Sequence, residues 1–478
     1  MLKILTTSLV LTLMIPALAR GAESYPRDFL WGAALSAHQG EGSLAGGGTE
    51  SDWYRLEHRR KPVIRGGDTA DVSADHWHRF AEDFDIARSL GLESFRTSIA
   101  WDKIEPAPGV FSREVTEHYR EVLAAMHLRG IKPMLALHHF VHPRWFERKG
   151  GWSHPDSPKW FLRYAEHVVS EFGDLCDLWI TFNEPMIQVS VGFLAGKIPP
   201  RKISPGEAYE AAWNILRAHR MVAAMIHRRQ GVPAGARGED GRLRGVGLAT
   251  YAPIFDPVHP GHKHDVKVAA EVTEAMDWAF VRAVDTGRLT IRLPKGVLGL
   301  LAGGFDRAVP EDDLPPGETG PFQDWIGVNY YNRYMIQHQR LSLVGLKWLV
   351  NLPGHEHGDN GWAIYPEGLE RQLRVAAQFG KPLVVTENGI ADADDSRRPA
   401  FIREHLRFLD RAMKGSDLGP PLDVRGYYHW SLIDNFEWLE GYKMRFGLVE
   451  VQFENGQKRV PRASAGVYRE EILKRRGN

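Results

Sequence analysis

Compact apolar runs recur along this chain at residues 29–35, 94–101, 132–139, 178–185, 246–255, 325–331, 382–390 and 424–432. Each is short and rich in β-branched or aromatic residues, the form of a buried parallel strand. Between them the apolar positions change period. Trp77, Phe80, Phe84 and Ala87 recur at spacings of three and four, which predicts a helix over 75–90 with Asp75 as its cap and Gly91 as its stop. Helices follow by the same rule near 113–128, 158–172, 205–229, 266–284, 368–379 and 401–413. Residues 49–71 keep no period and read as a long loop, as does the Gly- and Pro-rich stretch before 325.

Eight strands alternating with helices predict an α/β fold, a single (β/α)8 TIM barrel with long loops at the C-terminal face of the strands. A doubly wound sheet would show the same alternation. The polar residues decide between them, because they cluster at the C-terminal end of nearly every strand, and only a closed barrel brings those ends to one mouth. No Gly/Ser-rich linker divides the chain, so residues 25–478 form one domain.

Two of these strand ends carry glutamates. Residues 178–185 end in Asn183-Glu184-Pro185, and residues 382–390 run into Thr386-Glu387-Asn388-Gly389. A core strand offers no cheap place for a charge, so paired carboxylates at one mouth point to chemistry. Glycoside hydrolysis needs such a pair, one as nucleophile or base and the other as the acid for the leaving oxygen. The other strand ends supply Gln39, Arg96, His139, Asn183, Asn329, Tyr331, Trp430 and Glu437, donors, acceptors and aromatic plates suited to a ring bearing several hydroxyls. Either tetrapeptide alone occurs by chance; their joint placement at strands four and seven carries the signal. Trp31, Trp101 and Trp179 read as packing residues.

Composition narrows the field. The 478 residues include 60 basic and 60 acidic side chains, so no net charge favours nucleic acid or an anionic membrane as partner. His138, His139 and His142 lie close in sequence, but neighbours on a strand face opposite ways; with no ligand spacing, no metal is expected. The histidine-rich stretch 259–264 reads as a solvated loop. No phosphate-binding glycine loop opens a helix after a strand, so no nucleotide cofactor is expected. Residues 4–19 form an apolar run behind Lys3 that ends in Ala17-Leu18-Ala19. This is the pattern of a signal peptide over 1–22 cleaved after Ala19, for export to the periplasm or medium. An uncleaved membrane anchor is the alternative, and no stable insertion of the mature chain is expected. The single cysteine, Cys176, can form no intramolecular disulfide and reads as a buried small residue.

The ordered stretches FLWGAALSAHQGEG, DHWHRFAEDFDIARSLGLESFRTSIAW, TFNEP, GVNYY, VTENG and HWSLIDNFEWLEGYKMRFGL resemble glycoside hydrolase family 1, the β-glucosidase family, from about Tyr25 to the C-terminus. The resemblance implies a retaining exo-acting β-glycosidase that removes terminal β-glucosyl, galactosyl or fucosyl residues from a small-molecule glycoside or oligosaccharide. Retention implies carboxyl groups about 5–5.5 Å apart. On the same resemblance Glu184 is the acid/base and Glu387 the nucleophile. Arg96 and Tyr331 hold the nucleophile, and Asn183 meets the sugar 2-hydroxyl. Gln39, His139, Glu437 and Trp438 bind the other hydroxyls, and Trp430 is the platform under the ring. Relatives acting on 6-phosphorylated sugars lack the glutamate found here at Glu437 and carry a serine in that region, which implies an unphosphorylated sugar. Phe140, beside His139, departs from the tryptophan of many members and leaves the sugar preference open. A transglycosidase would use the same residues, and a retired carbohydrate-binding barrel would have lost a carboxylate.

Overall fold

The computed structural model describes residues 25–48, 50–231, 242–292, 304–339, 345–350 and 352–476. The leader expected over 1–22 lies outside them. Eight parallel strands close into a barrel: β1 Leu30–Ala34, β2 Ser94–Ser98, β3 Lys132–His138, β4 Leu178–Asn183, β5 Gly245–Tyr251, β6 Trp325–Tyr330, β7 Leu383–Asn388 and β8 Val424–Trp430. They pair in chain order, and β8 closes on β1, with Leu30 opposite Gly426 and Ala34 opposite Trp430. Both faces of the sheet are buried, one by the barrel interior and one by the helical ring, so nearly every strand residue is buried.

The helices begin and end where the spacing places them: His76–Ser89, Arg113–Leu128, Ser157–Phe172, Pro205–Gln230, Glu367–Ala377 and Arg398–Lys414. Ser112 and Ser204 cap theirs by accepting from the backbone N–H three residues on. Asp75 occupies the N-cap of its helix but makes no capping bond; it sits in the left-handed region and its carboxylate pairs with His78 at 2.6 Å. Trp31, Trp101, Trp179 and Cys176 are core residues, each at most 2 % exposed. Burial pushes the Cys176 thiol up to about 12, which leaves it an inert packing group.

Four expectations are corrected. The Gly- and Pro-rich stretch before 325 is not all loop, since Arg288–Arg292 pairs antiparallel with Gly304–Ala308. Residues 246–255 do not form one strand. The run breaks at Pro253, which has no N–H to offer a ladder; Ala252 and Ile254 donate to Asn329 and Asn332 carbonyls at 2.9 and 3.0 Å. Beyond the break, Ile254–Pro257 leaves the barrel to pair with Arg333–His338, itself paired with Leu346–Leu349. Residues 49–71 are not all loop, since Asp52–Glu57 is a helix capped by Ser51. The helix expected over 266–284 passes through a wider, π-type turn at Glu274–Trp278. No described helix is long and apolar enough to cross a membrane.

Candidate active site

Both glutamate-bearing strands lose regular register just before the glutamate. The β7–β6 pairing shifts between Val385 and Glu387, and the β4–β5 pairing between Ile180 and Asn183. A bulge of this kind bends the strand and re-aims the side chain that follows it. Gly389 then turns β7 away: a Cβ there would lie 1.8 Å from the Trp430 carbonyl oxygen, so only glycine fits. Glu184 leaves β4 in the left-handed region at φ 47°, a conformation non-glycine residues adopt at a cost of about 1–3 kcal/mol. Its N–H donates to the Ala249 carbonyl at 2.8 Å and its carbonyl accepts from Ile187 and Gln188, which hold it there.

The residues predicted for the site come together. A cavity of roughly 300 Å³ at the C-terminal mouth of the barrel is lined by Glu184 and Glu387 with Gln39, His139, Asn183, Tyr331, Trp430, Glu437 and Trp438. That size falls at the small end for a small-molecule site. Arg96 and Asn329 stand directly behind, bonded to the carboxylates. Glu387 accepts from the Arg96 guanidinium at 2.5 Å through Oε1 and from the Tyr331 hydroxyl at 2.6 Å through Oε2. Both oxygens are therefore met by donors, as suits a carboxylate without a proton.

Glu184 is treated differently. It is 8 % exposed, against 4 % for Glu387, yet its one hydrogen-bond donor among the described residues is the Asn329 amide, at 2.8 Å from Oε1. Burial first, and the charge of Glu387 second, push its carboxyl up to about 8; the Asn329 amide and Arg96 oppose the rise. Burial and Glu387 likewise raise Glu437 to about 8, while Gln39 donates to its Oε2 at 3.3 Å.

A directed set of hydrogen bonds orients the amides. Thr386 donates to Asn329 Oδ1 at 2.7 Å, so the Asn329 amide nitrogen faces Glu184 and Asn183. Asn183 Oδ1 accepts from Asn329 and from Arg96, at 3.0 and 2.6 Å, so its nitrogen faces His139 Nε2 at 3.2 Å. His139 Nε2 must then accept. Burial, Arg96 and His138 hold the ring far below the usual histidine range, so it is neutral and carries its proton on Nδ1, which is buried and has no partner among the described residues. His138 turns the other way, accepting from Trp152 Nε1 at 3.4 Å.

Aromatic rings complete the walls. Trp430 and Trp438 both lie nearly parallel to His139, at centroid distances of 5.9 and 6.0 Å. Phe140, which departs from the family pattern, packs edge-on against Trp438 at 5.3 Å. Tyr251, Tyr334 and Trp362 also line the cavity and were not foreseen. Tyr334 belongs to the extra sheet outside the barrel, and Trp362 to an irregular segment, where no period marks an inward side chain. Tyr251 ends β5, and its strand-end position was the one signal that could have found it. Its hydroxyl bonds Asn332 Oδ1 at 2.9 Å and the Tyr334 hydroxyl at 3.0 Å.

A family model described as "Glycosyl hydrolase family 1" matches residues 21–478. "Beta-glucosidase A" of Acetivibrio thermocellus is 31% identical, over 95% of this chain and 99% of that one. "Beta-galactosidase" of Pyrococcus woesei is 29% identical, over 94% and 97%. Among solved structures, "Family 1 b-glucosidase from Thermotoga maritima" superposes with a TM-score of 0.81 at 27% identity, covering 95% of this chain and 99% of that one.

Proposed function

The chain belongs to glycosyl hydrolase family 1 and is an O-glycosyl hydrolase of the β-glycosidase type, and on that premise we propose how its residues divide the work. Glu387 is the nucleophile and Glu184 the acid/base of a retaining double displacement on a terminal β-D-glucosyl residue, with galactosyl and fucosyl residues as alternative substrates. The observation that carries this reading is the unequal setting of the two carboxyls. One meets a guanidinium and a phenol; the other, also buried, meets a single amide among the described residues.

The chemistry follows from that asymmetry. Because Glu184 Oε1 accepts from Asn329, its proton resides on Oε2, which is available to the leaving oxygen. A carboxylate oxygen of Glu387 attacks the anomeric carbon as the bond to the leaving oxygen breaks, and Glu184 delivers its proton to that oxygen. The ester so formed has removed the negative charge that raised Glu184, so the Glu184 carboxyl becomes a stronger acid, remains ionised and takes a proton from water. That water attacks the anomeric carbon and releases Glu387. Asn183, oriented by Arg96 and Asn329, is placed to meet the sugar 2-hydroxyl. Gln39, His139, Glu437 and Trp438 serve the remaining hydroxyls, and Trp430 the ring face. Glu437 presents a carboxyl where a phosphate would need a cation, which supports an unphosphorylated sugar. The relatives called β-glucosidase support glucose; the one called β-galactosidase supports a site tolerant at one epimeric position. Export through the leader is also proposed, on the apolar pattern of residues 4–19; the mass of the secreted chain tests it.

A panel of 4-nitrophenyl β-glycosides tests the assignment, with the anomer of the first-formed sugar followed by NMR. Release of nitrophenol with β-sugar as the initial product is the expected result. Binding without turnover of any member of the panel would return the protein to the carbohydrate-binding reading, and products dominated by acceptor glycosides would make it a transglycosidase.

A further inference from the structure

Beside the cavity, and outside the residues assigned above, lies a second concavity of about 590 Å³. Its rim carries Arg55, Arg59, Arg60, Lys61 and Arg201, against two acidic side chains, Asp52 and Glu147. All five cations are exposed. Arg59, Arg60 and Lys61 have no ion-pair partner among the described residues, Arg55 has only a long contact of 3.9 Å to Glu147, and Arg201 donates to a carbonyl. Asp52 lies buried in the floor; burial, with some help from Glu147, holds its carboxyl well above the ordinary carboxylate range, so the floor brings no full negative charge. In a chain with as many acids as bases, so one-sided a concavity is a local device.

Its position gives it a use. The helix Asp52–Glu57, the segment containing Glu147 and the segment containing Arg201 follow strands β1, β3 and β4 in the chain, so the furrow is on the rim of the barrel mouth. It shares a wall with the sugar cavity: Leu56 on the furrow side, and Val191 and Trp438 on the cavity side, pack in one cluster with Trp53, Val141 and Phe436. A leaving group longer than one ring that extends from the Glu184 side past Val191, seven residues beyond that glutamate, meets a cationic surface. Guanidinium groups pair with carboxylate and sulfate through two parallel hydrogen bonds.

We propose that this furrow takes the leaving-group end of an acidic oligosaccharide, one bearing carboxylate or sulfate groups. The proposal rests on the glycosidase reading above and adds the class of aglycone. The test compares cellotriose with the same trisaccharide oxidised to glucuronate in its second and third rings, using wild type and the triple variant Arg59→Ser, Arg60→Ser, Lys61→Ser. The wild type is expected to show a KM for the acidic substrate roughly tenfold lower at low salt. That advantage should vanish in the triple variant and at about 0.5 M salt, while cellotriose kinetics stay unchanged. Equal KM values in the wild type, or equal losses on both substrates in the variant, would overturn the proposal and leave the glycosidase reading intact. If neither trisaccharide is hydrolysed, the glycosidase reading is what fails. Calorimetric binding of the diglucuronate alone then decides the furrow: binding weakened by the triple substitution supports it, and no binding to the wild type refutes it.

Discussion

Glu387 and Glu184 sit at the tips of two strands of one barrel, line one cavity and are almost equally hidden from water, yet they are prepared for opposite tasks. Glu387 has a guanidinium on one oxygen and a phenol on the other. Glu184 has one amide, and burial first and its charged neighbour second push it up to about 8. What separates them is the number and charge of the donors within hydrogen-bond reach, and that is set by β2 and the end of β6, not by the strands that carry the glutamates.

The comparison can be broken outright at Glu387. Glu387→Ala is expected to lower kcat by at least about 10⁴-fold on every substrate, and a variant with wild-type turnover would end the assignment. Glu184→Ala should be milder and should depend on the leaving group, with losses of about 10²–10⁴ on alkyl or sugar aglycones and much less on dinitrophenol. Added azide should restore turnover and yield β-glycosyl azide. Loss independent of the leaving group would refute its role as acid.

Asn329→Ala sharpens the comparison from the side. In the wild type, activity should fall as pH rises through about 8, where Glu184 gives up its proton. The Asn329 amide favours the charged form, so its removal should move that basic limb to higher pH, with a loss of about tenfold in kcat/KM. A limb that moves downward would contradict the geometry. The last effect falls on stability and leaves turnover aside. A carboxyl held higher in the folded than in the unfolded chain keeps its contribution at pH below about 4.5 and loses it as pH rises through about 8. Glu184→Gln should therefore be more stable relative to wild type at pH 9 than at pH 5, by up to about 4 kcal/mol. Equal differences at the two pH values would show that Glu184 is not raised.

The two glutamates were legible because each interrupts an apolar run at the point where the strand ends. Asn183, Asn329 and Tyr331 shared that signature, being polar residues at or just past the ends of buried strands, whereas Arg96 stood out as a charge in the middle of β2. Glu437 and Trp438 had a weaker one: they follow β8 by several residues, Trp438 has φ 48°, and only the stretch HWSLIDNFEWLEGYKMRFGL placed Trp438 in the site. Tyr334 and Trp362 were not legible, because an aromatic residue in an aperiodic segment looks the same whether it faces a cavity or a neighbouring loop. The barrel strands came through for the opposite reason: burial on both faces leaves runs too apolar to mistake. Residues 246–255 show the limit of that rule, where the apolar run outlasted the barrel and Pro253 alone marked the exit.

Thr386, Asn329, Asn183 and His139 form a sequence in which each group gives to the next, and Arg96 joins it from the side. Such a chain has a sense, like a current, and reversing one member would set two donors or two acceptors face to face. A sugar hydroxyl is free to rotate and has no sense of its own. On entering, it inherits one: a hydroxyl that meets the second amide hydrogen of Asn183 must accept, and its own hydrogen is then committed elsewhere. The polarity chosen by a threonine beneath the barrel floor of the site is thereby written, hydroxyl by hydroxyl, around the bound ring.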